Sequence, residues 1–222
     1  MKTAPSQPVT SRLLACGVAS TPFFYAAVAV QLVLRPHYDI RTQPLSFLAI
    51  GEFGWIQVAN FLVAGALALA GAVGLRQALR GQRGGASGPI LAGLYGIGMI
   101  GAGLFGPDPL PVPGQAPQMS VTGAFHMVAF LLSLLSLIAA CFVFARRFGS
   151  VGKRGWAIYS IVTALLAPAL VAAGMATPSW AGVIVGGAGI VLFGWLSLVV
   201  FEIRSEGSAS PVRLAPRAPV AT

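Results

Sequence analysis

Long apolar runs alternate with short polar stretches over most of this chain. Six runs stand out, at residues 13–34, 53–75, 89–105, 123–145, 156–177 and 180–201. A membrane-spanning α-helix needs about 20 mainly apolar residues to cross about 30 Å of hydrocarbon, and each run has that length or nearly so. The pattern predicts an all-α, polytopic membrane protein whose six transmembrane helices form one domain over residues 13–203.

The composition points the same way. Hydrophobic residues make up 56% of the chain and charged residues only 9%, with a mean hydropathy of +0.83. An average soluble domain carries about 25% charged residues. A chain with so few charges cannot cover a water-exposed surface, which excludes an ordinary soluble enzyme or binding module.

The positions of the basic residues predict the orientation of the helices. The chain has fourteen Lys and Arg residues, and twelve of them precede the first apolar run or follow the second, fourth or sixth run. The exceptions are Arg35 and Arg41. By the positive-inside rule both termini are cytoplasmic, so the net charge needs no nucleic-acid partner to explain it. Twelve arginines against two lysines also favour a GC-rich bacterial genome. We therefore expect a bacterial plasma or inner membrane.

The two tails and the small residues complete the organisation. Residues 1–12 and 204–222 are polar, basic and rich in Pro, Ser and Ala, which predicts disordered cytoplasmic tails. Small residues at four-residue spacing let helix backbones approach closely, and we expect these faces to pack the six helices of one protomer. Contact with another membrane protein or a second copy is the alternative. The faces are Ala66, Ala70 and Gly74; Gly98, Ala102 and Gly106; Gly182 and Gly186.

Five stretches together resemble a family of bacterial six-helix membrane proteins that is catalogued as domain of unknown function 998. They read PLSFLAIGEFGWIQVANFLVAGALALAGAVGLRQAL, FGPDP, SVTGAFHMVAF, ACFVFARRF and GWAIYS. The likeness runs from about residue 12 to about residue 203. It implies a six-span membrane fold, but no reaction, substrate or cofactor. The matching positions include Gly54, Trp55, Gln57, Asn60, Asp108, Pro109, Gly123 and His126.

Polar residues near the outer ends of the spans predict a ligand pocket. Asp108 ends the third span, His126 begins the fourth and Glu52 precedes the second, so all three lie at the outer rim. Ionisable groups at membrane depth are functional candidates by default. Gln57 and Asn60 share a helix face slightly deeper, because they are three residues apart. We expect these five residues to bind a small or lipid-like ligand, with Gln31 and His37 arriving from the first span.

Two other function classes remain open. A membrane hydrolase would use His126 with Asp108 and either Glu52 or His37 as zinc ligands, or Ser46 or Ser120 with His126 and Asp108 as a triad. The sequence contains no HExxH, CxxC or GxSxG motif, so we expect a non-enzymatic protein, and no cofactor is indicated. A structural or regulatory partner of another membrane protein is the third class.

Overall fold

Six long α-helices make up most of the part of the chain that the structure describes. The computed structural model describes residues 7–109 and 118–209. Within these residues there is no β-strand, and all six helices are long and apolar enough to cross a membrane, which confirms the all-α, six-span prediction. They are α1 (Gln7–Leu34), α2 (Gly54–Ala78), α3 (Ser87–Leu104), α4 (Val121–Ser150), α5 (Arg154–Ala176) and α6 (Ala181–Ala209).

The helices form a closed ring. Each helix packs along the next one in the chain, and α6 returns to pack on α1. Because the chain crosses the bundle six times, α1 begins and α6 ends at the same end. We call it the N/C end, and it comprises the described residues 7–12, 76–87, 146–155 and 202–209. The opposite end comprises residues 35–53, 105–109, 118–122 and 177–181.

Aromatic side chains fill the inside of the ring. The ring of Phe193 on α6 lies 6.0 Å from that of Phe24 on α1 and 5.1 Å from that of Tyr95 on α3, measured between centroids. Nearer the N/C end, Trp195 is fully buried and its ring centroid lies 5.8 Å from that of Phe144. Large apolar side chains also cover the outside, where Val33 is 82% exposed. The bundle therefore presents an apolar surface to lipid around an aromatic core.

Glycines let neighbouring helices touch. A Cβ atom on Gly71 of α2 would lie 2.5 Å from the Cα atom of Gly17 on α1, so no side chain fits between these two backbones. Gly74 lies against Leu14 in the same interface. Gly98 of α3 likewise packs on α4, so two of the expected small-residue faces contribute to helix packing within one protomer. A Cβ atom on Gly106 would meet nothing within 4 Å, and Gly182 lies against loop carbonyls, so these two glycines do not pack helices as expected. The expected face on α2 is only partly correct, because Ala66 is exposed and Gly65, not Ala66, meets α3.

The inner parts of both tails are helical, where the sequence predicts disorder. Residues 7–12 belong to α1 and residues 204–209 to α6. Side-chain contacts hold them: Thr10 Oγ1 donates a hydrogen bond to Gln77 Oε1 (2.8 Å), and Arg204 Nε donates one to Ser11 Oγ (3.2 Å). These contacts are long-range and leave no trace in local composition. The rest of the predicted tails, residues 1–6 and 210–222, lies outside the described residues.

Candidate functional site

Three amide side chains form a buried cluster between α1 and α2. Gln31 comes from the last turn of α1, and Gln57 and Asn60 come from the first two turns of α2. The exposed fractions of these residues are 0%, 0% and 2%. Because Gln57 and Asn60 are three residues apart they share one face of α2, as the sequence predicts. We call this group the amide cluster.

Two backbone carbonyls fix the direction of every hydrogen bond in the amide cluster. The Ala27 carbonyl lies 3.2 Å from Gln31 Nε2, and the Phe24 carbonyl lies 3.1 Å from Asn60 Nδ2. A carbonyl only accepts, so the amide groups that face these two oxygens must be NH₂ groups. Both NH₂ groups also donate to Gln57 Oε1, at 2.7 Å from Gln31 and 3.0 Å from Asn60. The cluster therefore has one consistent arrangement.

That arrangement leaves three buried atoms without a hydrogen-bond partner among the described residues. They are Gln31 Oε1, Asn60 Oδ1 and Gln57 Nε2, two acceptors and one donor. A buried polar atom without a partner costs about 1–3 kcal/mol, and native proteins contain few of them. Three such atoms on side chains that contact each other mark the amide cluster as a candidate binding site.

The loop between α1 and α2 closes over this end of the bundle. Arg35, directly after α1, donates through Nη1 to the Leu48 carbonyl (2.7 Å) and through Nη2 to the Ile50 carbonyl (2.8 Å). The first of these carbonyls lies in a short 3₁₀ helix, Leu45–Ala49, that packs on α2. Gly51 follows with φ +88°, which a residue with a side chain rarely adopts. Arg35 thus ties this loop to the end of α1 above the amide cluster.

Asp108 holds the start of α4. Its carboxylate accepts hydrogen bonds from the Ser120 backbone N–H (2.9 Å) and from Ser120 Oγ (2.5 Å), while Ser120 Oγ accepts from the Gly123 N–H (3.0 Å). A Cβ atom on Gly123 would collide with the carboxylate. A negative charge suits a helix N-terminus, and the bonds from Ser120, with a smaller effect of nearby His126, hold the Asp108 pKa below its usual value. Asp108 and Ser120 therefore close the loop between α3 and α4.

His126 closes the same loop from the other side. Its Nδ1 lies 2.7 Å from the Phe105 carbonyl and 3.2 Å from the Ala102 carbonyl, so Nδ1 carries a proton and donates to the end of α3. The imidazole also stands edge-on to the Phe61 ring, with centroids 6.4 Å apart. Its Nε2 makes no hydrogen bond to the residues that the structure describes. The loop between these contacts includes residues 110–117, which lie outside that part of the chain.

The remaining predicted residues do not join this arrangement. Glu52 and His37 are exposed and form no hydrogen bond or ion pair with the described residues. Across residues 7–109 and 118–209, no group of three or more His, Cys, Asp or Glu side chains could hold a metal ion, so the zinc alternative that joins His126 and Asp108 with Glu52 or His37 is not found there. The triad alternative with Ser120 also lacks its geometry, because Ser120 bonds directly to Asp108 and not through His126.

A comparison with protein families decides the classification. The family model described as Protein of unknown function (DUF998) matches residues 18–202. The chain belongs to this family. Neither the curated proteins nor the solved structures contain a match. The resemblance found in the sequence is thereby confirmed, and the function of this DUF998 protein has to be argued from its own geometry.

Sequence reasoning missed an ion-pair network at the N/C end of this DUF998 protein. Arg147 is only 3% exposed and donates to Gln82 Oε1 (2.8 Å) and Glu206 Oε2 (3.5 Å). Lys153 pairs with both Glu202 and, at 2.7 Å, Glu206. The spacing of the two glutamates places them on one face of α6. That spacing, next to basic loops, is the signal that could have revealed the network.

Proposed function

We propose that this DUF998 protein binds a small uncharged polar molecule, or the uncharged polar head of a lipid, at the amide cluster. The observation that carries the proposal is the set of three unpartnered atoms on Gln31, Gln57 and Asn60. A ligand that donates twice and accepts once would complete them. Hydroxyl and carboxamide groups offer these functions, since each can donate and accept.

The surroundings of the amide cluster favour an uncharged ligand. Its hydrogen-bond partners are its own three side chains and the carbonyls of Phe24 and Ala27, and no described ionisable side chain bonds to it. An ion that leaves water for such a site loses hydration that only an opposite charge could replace. A neutral polar group loses much less and regains its hydrogen bonds.

Other buried polar side chains in the bundle show what simple helix bridging looks like. Ser20 Oγ donates to the Ala64 carbonyl (2.9 Å), and Thr21 Oγ1 donates to the Phe193 carbonyl (2.7 Å). Ser197 Oγ donates to Thr21 Oγ1 at 2.9 Å. Each hydroxyl has a partner, and none of these atoms is left unsatisfied. The amide cluster differs from these side chains because three of its buried atoms have no hydrogen-bond partner among the described residues. This difference supports ligand binding over a purely helix-bridging role.

The other predicted ligand residues, Asp108, His126 and Glu52, do not contact the ligand in this proposal. Asp108 and His126 shape the outer loop above the bundle, and Glu52 lies at the water-exposed rim, where a polar ligand would arrive. The excess of basic residues at the N/C end supports the further proposal that this end faces the cytoplasm of a bacterial plasma or inner membrane. The opposite end would then face outward.

The proposal is tested by the molecules that the purified protein carries. We would extract the full chain in native lipid, denature it, and compare by mass spectrometry the small molecules released from the wild type and from a Gln31→Leu, Gln57→Leu, Asn60→Leu triple variant. Replacing all partners of a polar cluster by apolar groups of similar size is nearly neutral for stability, so the variant should fold. Ser197→Ala is the control, because its hydroxyl is already bonded.

The wild type and the control should release an uncharged polar compound in near-stoichiometric amount that the triple variant lacks. Identical sets of molecules from all three proteins, at equal recovery of folded protein, would contradict the proposal. In that case water completes the amide cluster, and its role is structural.

A further inference from the structure

The acidic residues of the N/C end already form ion pairs within the protein. The chain has five acidic residues, and Asp39, Glu52 and Asp108 belong to the opposite end. The remaining two, Glu202 and Glu206, are both held by Lys153, and Glu206 also meets Arg147. Residues 1–6 and 210–222 contain no Asp or Glu. No carboxylate side chain is left at this end to neutralise further cations.

Five arginines at the N/C end have neither an acidic partner nor a hydrogen bond among the described residues. All five are exposed. Like charges held close together repel one another unless an anion joins them. A surface of this kind therefore favours a negatively charged partner. The five are Arg12, Arg80, Arg83, Arg146 and Arg154.

The buried Arg147 builds part of this surface. Its hydrogen bond to Gln82 holds the loop between α2 and α3 against the end of α4. Gly84 in this loop packs closely on α4, since a Cβ atom there would lie 3.2 Å from Val143 Cγ1. Gln82 lies between Arg80 and Arg83 in the chain, and Arg146 directly precedes Arg147. The contact therefore brings a loop with two arginines beside a helix end with a third.

We propose that Arg80, Arg83 and Arg146 bind the phosphate of an anionic phospholipid in the leaflet that borders the N/C end. The helices α2, α3 and α4 are membrane spans, and the three arginines lie at or just beyond their ends, at the level of the headgroups. Lipid phosphates are present at that level in every membrane, whereas a soluble partner would have to displace them. Arginine also matches phosphate oxygens with several parallel donors. This inference does not depend on the amide cluster.

The experiment measures lipid binding by native mass spectrometry of the full chain in detergent. Phosphatidylglycerol and phosphatidylcholine are added separately to the wild type and to an Arg80→Gln, Arg83→Gln, Arg146→Gln triple variant. The matched control is Arg41→Gln, an exposed arginine at the opposite end that pairs with Asp39. All four side chains are exposed, so the variants should unfold at the same temperature as the wild type.

The wild type and the control should bind phosphatidylglycerol more tightly than phosphatidylcholine, and the triple variant should lose that preference. With about 1 kcal/mol per basic residue, the loss of phosphatidylglycerol affinity should be on the order of a hundredfold at low salt. The variant Gln82→Ala should lose a smaller part, because it frees the loop without removing a charge.

Two results would overturn the proposal. Equal phosphatidylglycerol binding by the wild type and the triple variant would mean that these arginines bind a soluble acidic partner instead of a lipid. Displacement of the lipid by inorganic phosphate at equal concentration would assign the patch to a free anion. Retention of the lipid in the presence of inorganic phosphate supports a headgroup site.

Discussion

At the N/C end, the buried guanidinium of Arg147 meets Gln82 and Glu206, and Lys153 bridges two glutamates. At the opposite end, Gln31, Gln57 and Asn60 bond to one another and leave three buried atoms without a partner. The first arrangement carries charge, and Arg147 Nε is its one buried side-chain atom without a hydrogen-bond partner among the described residues. The second is neutral, and half of its amide atoms lack such a partner. Among the buried groups, charge therefore marks the structural network, and clustered unpartnered atoms mark the candidate site.

The opposite end also contains charged groups, and two of them, Asp108 and Arg35, have structural partners. Asp108 binds Ser120 at the start of α4, and Arg35 binds carbonyls of the loop between α1 and α2. In both cases the charge lies in a loop and fixes the backbone of that loop. These two charged groups therefore position the loops, whereas the unpartnered amide atoms are available to bind a ligand.

The largest effect is expected from Arg147→Met. The substitution removes a buried charge whose partners stay behind, which typically costs 3–5 kcal/mol, and we expect about 3 kcal/mol because Lys153 still holds Glu206. The neighbouring exposed Arg146→Met should change the free energy of unfolding by less than about 0.5 kcal/mol. Chemical denaturation in mixed micelles measures both. Equal effects of the two variants would mean that the N/C network is not structural.

A second effect, about 2 kcal/mol, is expected from Gly123→Ala at the opposite end. The new methyl group would collide with the Asp108 carboxylate that holds the start of α4. Gly155 offers a matched control, because it also lies in the first turn of a helix and a Cβ atom there meets nothing within 4 Å. If Gly155→Ala destabilises as much as Gly123→Ala, the proposed fit between Gly123 and Asp108 is wrong.

A smaller effect should appear in acid. Because the folded-state pKa of Asp108 lies below its unfolded value of about 3.9, its carboxylate stabilises the fold above that value. The contribution is lost as pH falls through the folded-state pKa. The variant Asp108→Asn should therefore lose less stability on acidification than the wild type, as followed by unfolding at a series of pH values. Parallel acid curves would contradict the capping role.

The smallest effect should appear in alkali at the N/C end. Hydrogen bonds from Lys153 to Glu202 and Glu206 raise the pKa of this lysine above its ordinary value of about 10.4. Its stabilisation is fully present below that value and is lost as pH rises through the raised pKa. The variant Lys153→Met should show a flatter alkaline limb than the wild type. An alkaline limb as steep as that of the wild type would contradict the stabilising role of this lysine.

The sequence predicted the six-span fold because length and hydropathy are sufficient to identify membrane helices. It also predicted that Gln57 and Asn60 share a face of α2, since that follows from helix geometry. It could not predict which of their atoms lack partners, because this depends on the carbonyls of Phe24 and Ala27 in another helix. For the same reason it grouped Glu52 with Asp108 and His126 by depth alone, while the structure holds the latter two by separate loop contacts.

The most direct test of the amide cluster is an experimental density map of the protein in native-lipid nanodiscs, examined beside Gln31 Oε1, Gln57 Nε2 and Asn60 Oδ1. The proposal predicts density larger than one water molecule within hydrogen-bond distance of these three atoms, while Arg147 remains bonded as described. Finding the three atoms satisfied by protein groups or by a single water would contradict it.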